Sequence, residues 1–509
     1  MSVGVDVDVL VVGAGPVGLT AALLLHELGL TVAIVERRDG PQRAPAAHVV
    51  NARTFEIWRQ MGLDVDAIRA LAKDPADGDM VRWVSKLGGE LIGSLPFERQ
   101  GDDTLAVTPT PLRNLSQHKL EPTLRDELAT RGVTVQYGTE WIAGTQDHAS
   151  VRSTVLDGGA ESMVTSRWLL ACDGAGSPVR RWLGIEPVGP HRIQTFLMVQ
   201  LAADFRSVVG ADRGVLHWIC DPAAGGTFVA HDLDREWVYM YPWDPDTDPV
   251  ENITAARCAA LVRAALAEPD TPFEVVDFAT WVMTAQVAER YRAGRVFLLG
   301  DAAHRFPPTG GLGLNTGVAD VHNLAWKLAA VARGDAPDAL LDTYELERRP
   351  IAEHNAAVSL QNALKLVDVP VAIGEDLAAT LGDPESRAGV EGAIADQALH
   401  FDMLGLQIGY VYGATEPPTD ATIRDFTPRV TPGARLPHGW VTRAGAMVST
   451  LDLVPLDREI TIVGSEATAP TVGAVLRIGT DIEDPDGWWP ALGLAATDSI
   501  TVRPDQHIV

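Results

Sequence analysis

A chain of 509 residues is long enough for about three domains at the usual ~100–200 residues each, and so for an enclosed site. Its 68 acidic against 41 basic residues give a formal net charge of −27, which repels a phosphate backbone and excludes nucleic acid as an expected partner; the charge reads as a solvated surface. Cys172, Cys220 and Cys258 form no CxxC pair, so no disulfide framework, zinc cluster or other metal site is expected, and a reducing cytoplasm is the expected compartment.

In chain order, residues 8–12 are a β-branched run, residues 17–28 have helical periodicity and residues 31–35 are apolar again. This predicts a βαβ unit over 8–36 that begins a doubly wound parallel sheet. Residues 9–25 are apolar enough to imitate a signal peptide or membrane span, but no basic region precedes them and Gly-Ala-Gly-Pro interrupts them. No other 18-residue apolar run is read, so no membrane partner is expected. Within the unit, Gly13-Ala14-Gly15-Pro16-Val17-Gly18 lies between strand and helix, the setting in which a GxGxxG run binds a dinucleotide. Gly13 permits the tight turn, Gly15 lets the backbone approach a pyrophosphate, and Gly18 allows the helix to pack on the strands. Glu36 closes the second strand, where a carboxylate accepts hydrogen bonds from ribose hydroxyls, with Arg37 and Arg38 beside it.

Residues 112–185 return to helix and strand patterns and end in the buried-looking run 168–172. Between about 190 and 285, alternating aromatic-rich runs predict an antiparallel sheet, the candidate substrate domain. Tyr239 and Tyr241 share one strand face there and offer phenols to align a substrate oxygen; Trp218 and Cys220 share a face of another strand and offer an apolar wall. Residues 295–299 read as a buried strand, with Asp301 just past it to accept hydrogen bonds from a polyol such as ribitol. Residues 318–332 read as a long helix opened by a glycine-rich loop whose free N–H groups suit the electron-rich edge of a reduced flavin. Residues 416–431, rich in Pro and Thr, read as a linker to a small domain over 432–509.

Residues 170–180, with Asp173, Gly174, Ser177 and Arg180, resemble the DG motif of flavoprotein aromatic hydroxylases. Gly300-Asp301-Ala302-Ala303-His304-Arg305-Phe306-Pro307-Pro308 resembles their GD motif, continued by Gly310-Gly311-Leu312-Gly313-Leu314-Asn315-Thr316-Gly317. With Asn51-Ala52-Arg53-Thr54, residues 116–122 and residues 341–350, the chain resembles the class A flavin monooxygenases over nearly its whole length, and more narrowly, through residues 400–412 and 432–438, the 2,4-dichlorophenol 6-monooxygenase and phenol hydroxylase branch. The resemblance implies an α/β fold with a discontinuous Rossmann-like FAD-binding domain over 1–189 and 286–415. An antiparallel-sheet substrate domain follows over 190–285, and the linker and a thioredoxin-like C-terminal domain over 416–509. That last domain lacks a CxxC, so redox work by it is not expected, and its removal is expected to impair oligomerisation or stability more than chemistry. A homo-oligomer is expected.

The resemblance also implies FAD as cofactor, NADH or NADPH as co-substrate, and O2. The reduced flavin forms a hydroperoxide whose distal oxygen attacks a phenol-like or hydroxypyridine-like ring, and the branch implies a small aromatic substrate with a single electron-rich ring. The expected cofactor-binding set is Gly13, Gly15, Pro16, Gly18, Glu36, Arg37, Gln117, Asp173, Asp301, Pro308, Gly313, Leu314 and Asn315. A base that withdraws the phenol proton activates the ring. His48, five residues before Arg53, stands where phenol hydroxylase relatives place an aspartate and is the first candidate, followed by Tyr239 and Tyr241. His304 reads as packing beneath the flavin. Ala46 stands where many relatives carry an arginine, with Arg43 as the candidate substitute. A Baeyer–Villiger-type or other ring-modifying monooxygenase and a non-catalytic flavin-binding protein are the competing readings.

Overall fold

The computed structural model describes residues 6–471 and 473–509. β1 (Val7–Val12), α1 (Pro16–Glu27) and β2 (Val32–Glu36) form the expected βαβ unit. Gly13, at φ 102°, turns so tightly that a Cβ there would lie 2.2 Å from the Cys172 carbonyl oxygen; one on Gly18 would lie 1.9 Å from the Gly13 oxygen. Both positions are therefore glycine for reasons of packing. After α2 (Ala52–Gln60), β3 (Met80–Val84), β4 (Leu91–Pro96) and α3 (Gln117–Thr130), the chain returns to the main sheet with β5 (Val135–Tyr137) and β6 (Ala160–Ala171).

β7 (Gln194–Ala202), β8 (Leu216–Ile219), β9 (Thr227–Asp232), β10 (Glu236–Trp243), α4 (Ala255–Ala265) and β11 (Glu274–Met283) come next, and β12 (Val296–Leu298) rejoins the main sheet. Its parallel strands run β12-β6-β1-β2-β5. Leu10, Val11, Ile34 and Val35 are wholly buried. At about 1.5–3 kcal/mol for each fully buried aliphatic side chain, this layer holds the turns at the strand ends in place.

The second sheet has seven strands in the order β11-β7-β10-β9-β8-β3-β4. It is antiparallel except where β3 runs parallel to β8. It reaches beyond the expected 190–285, because β3 and β4 come from residues 80–96. α4 covers one face, packing Cys258 and Val262 into a cluster with Leu197, Trp237 and Tyr239.

The helix expected from residue 318 begins at Leu312 as α5 (Leu312–Arg333), capped by Gly311 in the left-handed region (φ 60°). Its glycines are not breakers. A Cβ on Gly317 would lie 2.5 Å from Val17 Cγ2 and 2.9 Å from Gly300 Cα, so the residue lets α5 press on the first βαβ unit. α6 (Thr343–Lys365) packs beside it. The helical stretch Asp338–Ile373 is long and apolar enough, by length and composition, to cross a membrane, a run the sequence reading passed over. Here Arg348 Nε donates to Asp320 Oδ1 at 2.8 Å and Asn355 Nδ2 to Thr316 Oγ1 at 2.9 Å, buried polar contacts that mark a helix packed on α5.

Near the C-terminus, the strand Ile460–Val463 pairs in parallel with Ala474–Arg477 and antiparallel with Ser499–Val502, over a core that includes Leu436, Val441, Trp488 and Trp489. Asp505, Gln506 and His507 then pass into the main body and are wholly buried.

Candidate active site

The carboxyl ends of β2, β1, β6 and β12 are neighbours in the main sheet, and Glu36, Gly13, Asp173 and Asp301 follow one another along that edge. Open α/β sheets bind ligands in such a crevice. Two glycines there are not demanded by the protein. A Cβ on Gly15 would meet only Glu121 Oε1 at 3.9 Å, and one on Gly313 only Asp301 Oδ1 at 4.0 Å. Space is kept for something other than protein. Asp173 Oδ2 accepts from the Val179 N–H at 3.2 Å, while its buried Oδ1 has no partner among the described residues. Burial raises its pKa, partly offset by hydrogen bonds from Ser177 and Val179. The Asp301 carboxylate is open to solvent and makes no hydrogen bond to the described protein; the protein around it raises its pKa against the pull of His304 and Arg305. Free acceptors beside glycine-lined space fit the ribityl chain and pyrophosphate of FAD.

Toward the adenosine end, Glu36 is buried and accepts from Ala14 N at 2.8 Å and from Arg38 N and Nε at 3.0 and 3.1 Å. Burial would raise its pKa, but these bonds hold it below the usual carboxylate range. Arg37 is exposed and makes none of these contacts; Arg38 turns inward to Glu36 and Glu121. Gln117 donates to Glu121 Oε1 at 2.7 Å, and Gln42 N donates to Glu121 Oε2 at 2.6 Å. The wholly buried Glu121 thus organises this end. The sequence reading did not single it out, although it lies one turn from Gln117 on the same helix face.

Pro16 is buried at the first position of α1, and Pro308 is exposed before the α5 turn. Gly313 and Leu314 lie in the first turn of α5, where N–H groups lack intrahelical acceptors. Asn315 differs from expectation, because its side chain is used by the protein. Its Oδ1 accepts from Asn51 N and Thr54 Oγ1, and its Nδ2 donates to the Val49 and Gly311 carbonyls. It fixes the turn and leaves only its backbone for a ligand. Asp301→Ala removes a charged acceptor worth roughly 1.5–3 kcal/mol, so the Kd for FAD is expected to rise about 10- to 100-fold in flavin titrations of apoprotein; an unchanged Kd removes Asp301 from the site.

His48 bridges the two sheets. The next residue, Val49, lies where a Cβ on Gly311 would be only 2.4 Å from it, so His48 stands beside the α5 cap. Its ring faces Phe97 at 6.3 Å and His231 at 5.5 Å between centroids. Nδ1 lies 3.1 Å from Asn114 Oδ1. The Asn114 amide is oriented by its Nδ2, which donates to Gly78 O and Gln100 Oε1 at 3.1 and 3.3 Å. His48 therefore carries its proton on Nδ1 and presents a lone pair at Nε2. Burial lowers its pKa to about 4, with Lys73 adding to the effect and Asn114 opposing it. Trp83 and Trp218, stacked at 6.5 Å and 12°, belong to the apolar cluster that also holds Val49, Phe97 and Cys220.

The tyrosines do not join this group. Tyr239 and Tyr241 share a face, as expected, but it is the face covered by α4. Tyr239 is wholly buried and donates to the carbonyls of Ala224 and Gly225 at 3.1 and 2.7 Å, and burial raises its pKa. Alternation sends Thr227, Val229 and His231 of β9 to the other face, toward His48. His304 is a packing residue, 2.7 Å from Asp320 Oδ2 and stacked on Phe306 at 4.9 Å. Arg43 is exposed and pairs with Asp39, so it does not replace the arginine missing at Ala46.

The family described as FAD binding domain matches residues 6–359. The chain is 34% identical to the tetracenomycin A2 monooxygenase-dioxygenase of Streptomyces glaucescens, over 99% of this chain and 93% of that protein. It is 31% identical to the 2,4-dichlorophenol 6-monooxygenase of Delftia acidovorans, over 94% and 88%. It superposes on the flavin-dependent monooxygenase PieE, solved with FAD and substrate, with a TM-score of 0.90 at 31% identity, over 99% and 96%. The chain belongs to the FAD binding domain family of class A aromatic hydroxylases and is a flavin-dependent monooxygenase.

Proposed function

We propose that this enzyme hydroxylates a phenolic ring of a fused-ring aromatic of polyketide type, with His48 as the base that withdraws the phenol proton. The carrying observation is the His48–Asn114 contact, which holds Nδ1 and leaves Nε2 as the atom free to accept a proton. FAD, reduced by NAD(P)H, supplies the activated oxygen. Gly13, Gly15, Asp173, Asp301 and the first turn of α5 would hold it. Removal of the hydroxyl proton leaves a phenolate whose ortho and para carbons are electron-rich, and His48 holds that proton at Nε2. Trp83, Trp218 and Phe97 supply apolar surface that excludes water from the activated ring.

The relatives named for tetracenomycin A2 and for polyketide hydroxylation, at 34% identity against 31% for the one named for a dichlorophenol, support a polyketide-type substrate over the single ring that the branch resemblance implied. The C-terminal unit is read as thioredoxin-like, supported by its small mixed sheet. Fused-ring phenols, single-ring phenols and hydroxypyridines, each with NADH and NADPH, test the proposal through stimulated coenzyme oxidation and product mass. Tight coupling only with single rings overturns the substrate class. Oxygen inserted into a ring bond points to Baeyer–Villiger chemistry instead.

A further inference from the structure

On the face of the second sheet that carries His231, side chains form a straight row across neighbouring strands. Trp218 on β8 lies opposite Thr227 on β9, Thr227 opposite Met240 on β10, Met240 opposite Met198 on β7, and Met198 opposite Ala279 on β11; directly opposed residues share a face. One step along, Phe196 is opposed by Trp281, and their rings stack at 5.9 Å and 28°. The other face is closed by α4 over the wholly buried Val199, Trp237 and Tyr239, so the exposure is one-sided. At the near end of the row, Trp218 packs into the apolar cluster of Trp83 and Phe97. Met240, Met198, Phe196 and Trp281 are half-buried and join none of the apolar clusters among the described residues. None of these residues is charged, in a chain whose net charge is −27.

We propose that Met198, Met240, Phe196 and Trp281 seat the rings of the substrate remote from the one that is hydroxylated, an inference that rests on the fused-ring reading above. The seat is continuous with the candidate active site, because the row passes through Thr227, which shares a strand face with His231. From β9, where His231 meets His48, to β11 is three strand spacings, roughly 14 Å. A single ring at His48 leaves the strip bare, whereas a flat molecule of several rings covers it. Shortly after Trp281, Gln286–Ala288 pairs with His304–Arg305, just past Asp301, so this end of the strip adjoins the flavin crevice. That placement favours a small molecule held between the two sheets over a second copy of the chain. The chemistry suits the same occupant. The Phe196–Trp281 stack offers ring faces, and the methionine thioethers adapt to ring edges, while the lack of charge suits a neutral ligand and not the phosphates of a coenzyme. Contacts with the remote rings would fix where the reacting ring sits, and so which carbon is hydroxylated.

The test titrates FAD-loaded enzyme with a hydroxyanthraquinone and with a single-ring phenol, reading each Kd from the change in flavin absorbance. The ratio of the two Kd values is the preference. Phe196→Ala and Trp281→Ala should each cut the preference for the fused rings by about 10-fold, the scale of one lost aromatic contact with its buried area. Trp281→Phe should restore most of it, which a general defect in the sheet would not allow. Met198→Gln keeps the length of the side chain but sets an amide in the strip; it should shift the preference the same way and decides the matter if the alanine variants do not fold. Wild-type preference in all the variants overturns the seat while leaving the fused-ring reading in place. Unchanged preference with a weaker coenzyme Kd, from rates of flavin reduction, overturns it by giving the strip to NAD(P)H. Unchanged preference with loss of a dimer on size-exclusion chromatography overturns it by giving the strip to a second copy. Wild-type enzyme that binds the hydroxyanthraquinone no more tightly than the single ring overturns the fused-ring reading and the seat together.

Discussion

His48→Ala is expected to bind FAD and accept electrons from NAD(P)H, yet to hydroxylate about 100- to 10,000-fold more slowly, the range that a positioned base contributes. Neither flavin binding nor reduction needs the Nε2 lone pair, whereas ring activation does. The electrons then leave as hydrogen peroxide, so the measurement is the ratio of product to coenzyme consumed. Raising the pH should partly restore product as solvent deprotonates the phenol, whose unperturbed pKa is about 10. In the wild type, a base with its pKa lowered to about 4 stays neutral well below pH 6, so the acid limb of kcat/KM should fall near pH 4 to 5. That limb has to be read by pH jump. Burial likewise lowers the pKa values of His217 and His438 to about 4 and of His400 and His507 to about 3. Each is protonated in the unfolded chain before the folded one, so stability present above about pH 6.5 is lost as pH falls toward those values. Coupled hydroxylation at a near-normal rate in His48→Ala removes the residue from the mechanism.

The crevice was legible because its logic is local. The glycines, Glu36, Asp173 and Asp301 sit where a strand ends and a turn must form, and sequence spacing encodes that directly. The tyrosine assignment failed for a different reason. Alternation correctly put Tyr239 and Tyr241 on one face, but only the placement of α4 decides which face is covered. The same limit hid His231, which reaches His48 from a strand far away in the chain. The helix start was misjudged because the glycine-rich run was read as a loop, while Gly317 is small to let Val17 and Gly300 approach. β3 and β4 pair with a sheet whose other strands begin about a hundred residues later, and no local pattern announces that partnership.

Ending the chain at residue 431 should cost the enzyme its flavin as well as its stability, a larger loss than the sequence alone implied. Arg435 donates to both oxygens of the buried Glu56 on α2, and Arg503 pairs with Glu347 of α6 at 2.6 Å. Gln506 Oε1 and the Asp505 carbonyl accept from Arg53 at 2.6 and 2.9 Å. Arg59 adds a two-point contact to Asp452, both bonds 2.8 Å. Truncation removes one partner of each; Arg53 still pairs with Glu56 and Lys327 with Glu347, but breaking a fully buried pair such as Arg435–Glu56 costs about 3–5 kcal/mol. That loss alone is a large share of the ~5–15 kcal/mol by which a folded chain is usually stable, and the half-buried Arg503–Glu347 and Arg59–Asp452 contacts add to it. The damage would centre on α2, α5 and α6. Asn51 at the head of α2 is bonded through Asn315 to the first turn of α5, the turn expected to meet the flavin. Residues 1–431 should therefore be insoluble or colourless when expressed, measured by soluble yield and flavin absorbance per chain. A soluble, yellow truncated protein with the full-length melting temperature would show that the C-terminal unit is an appendage.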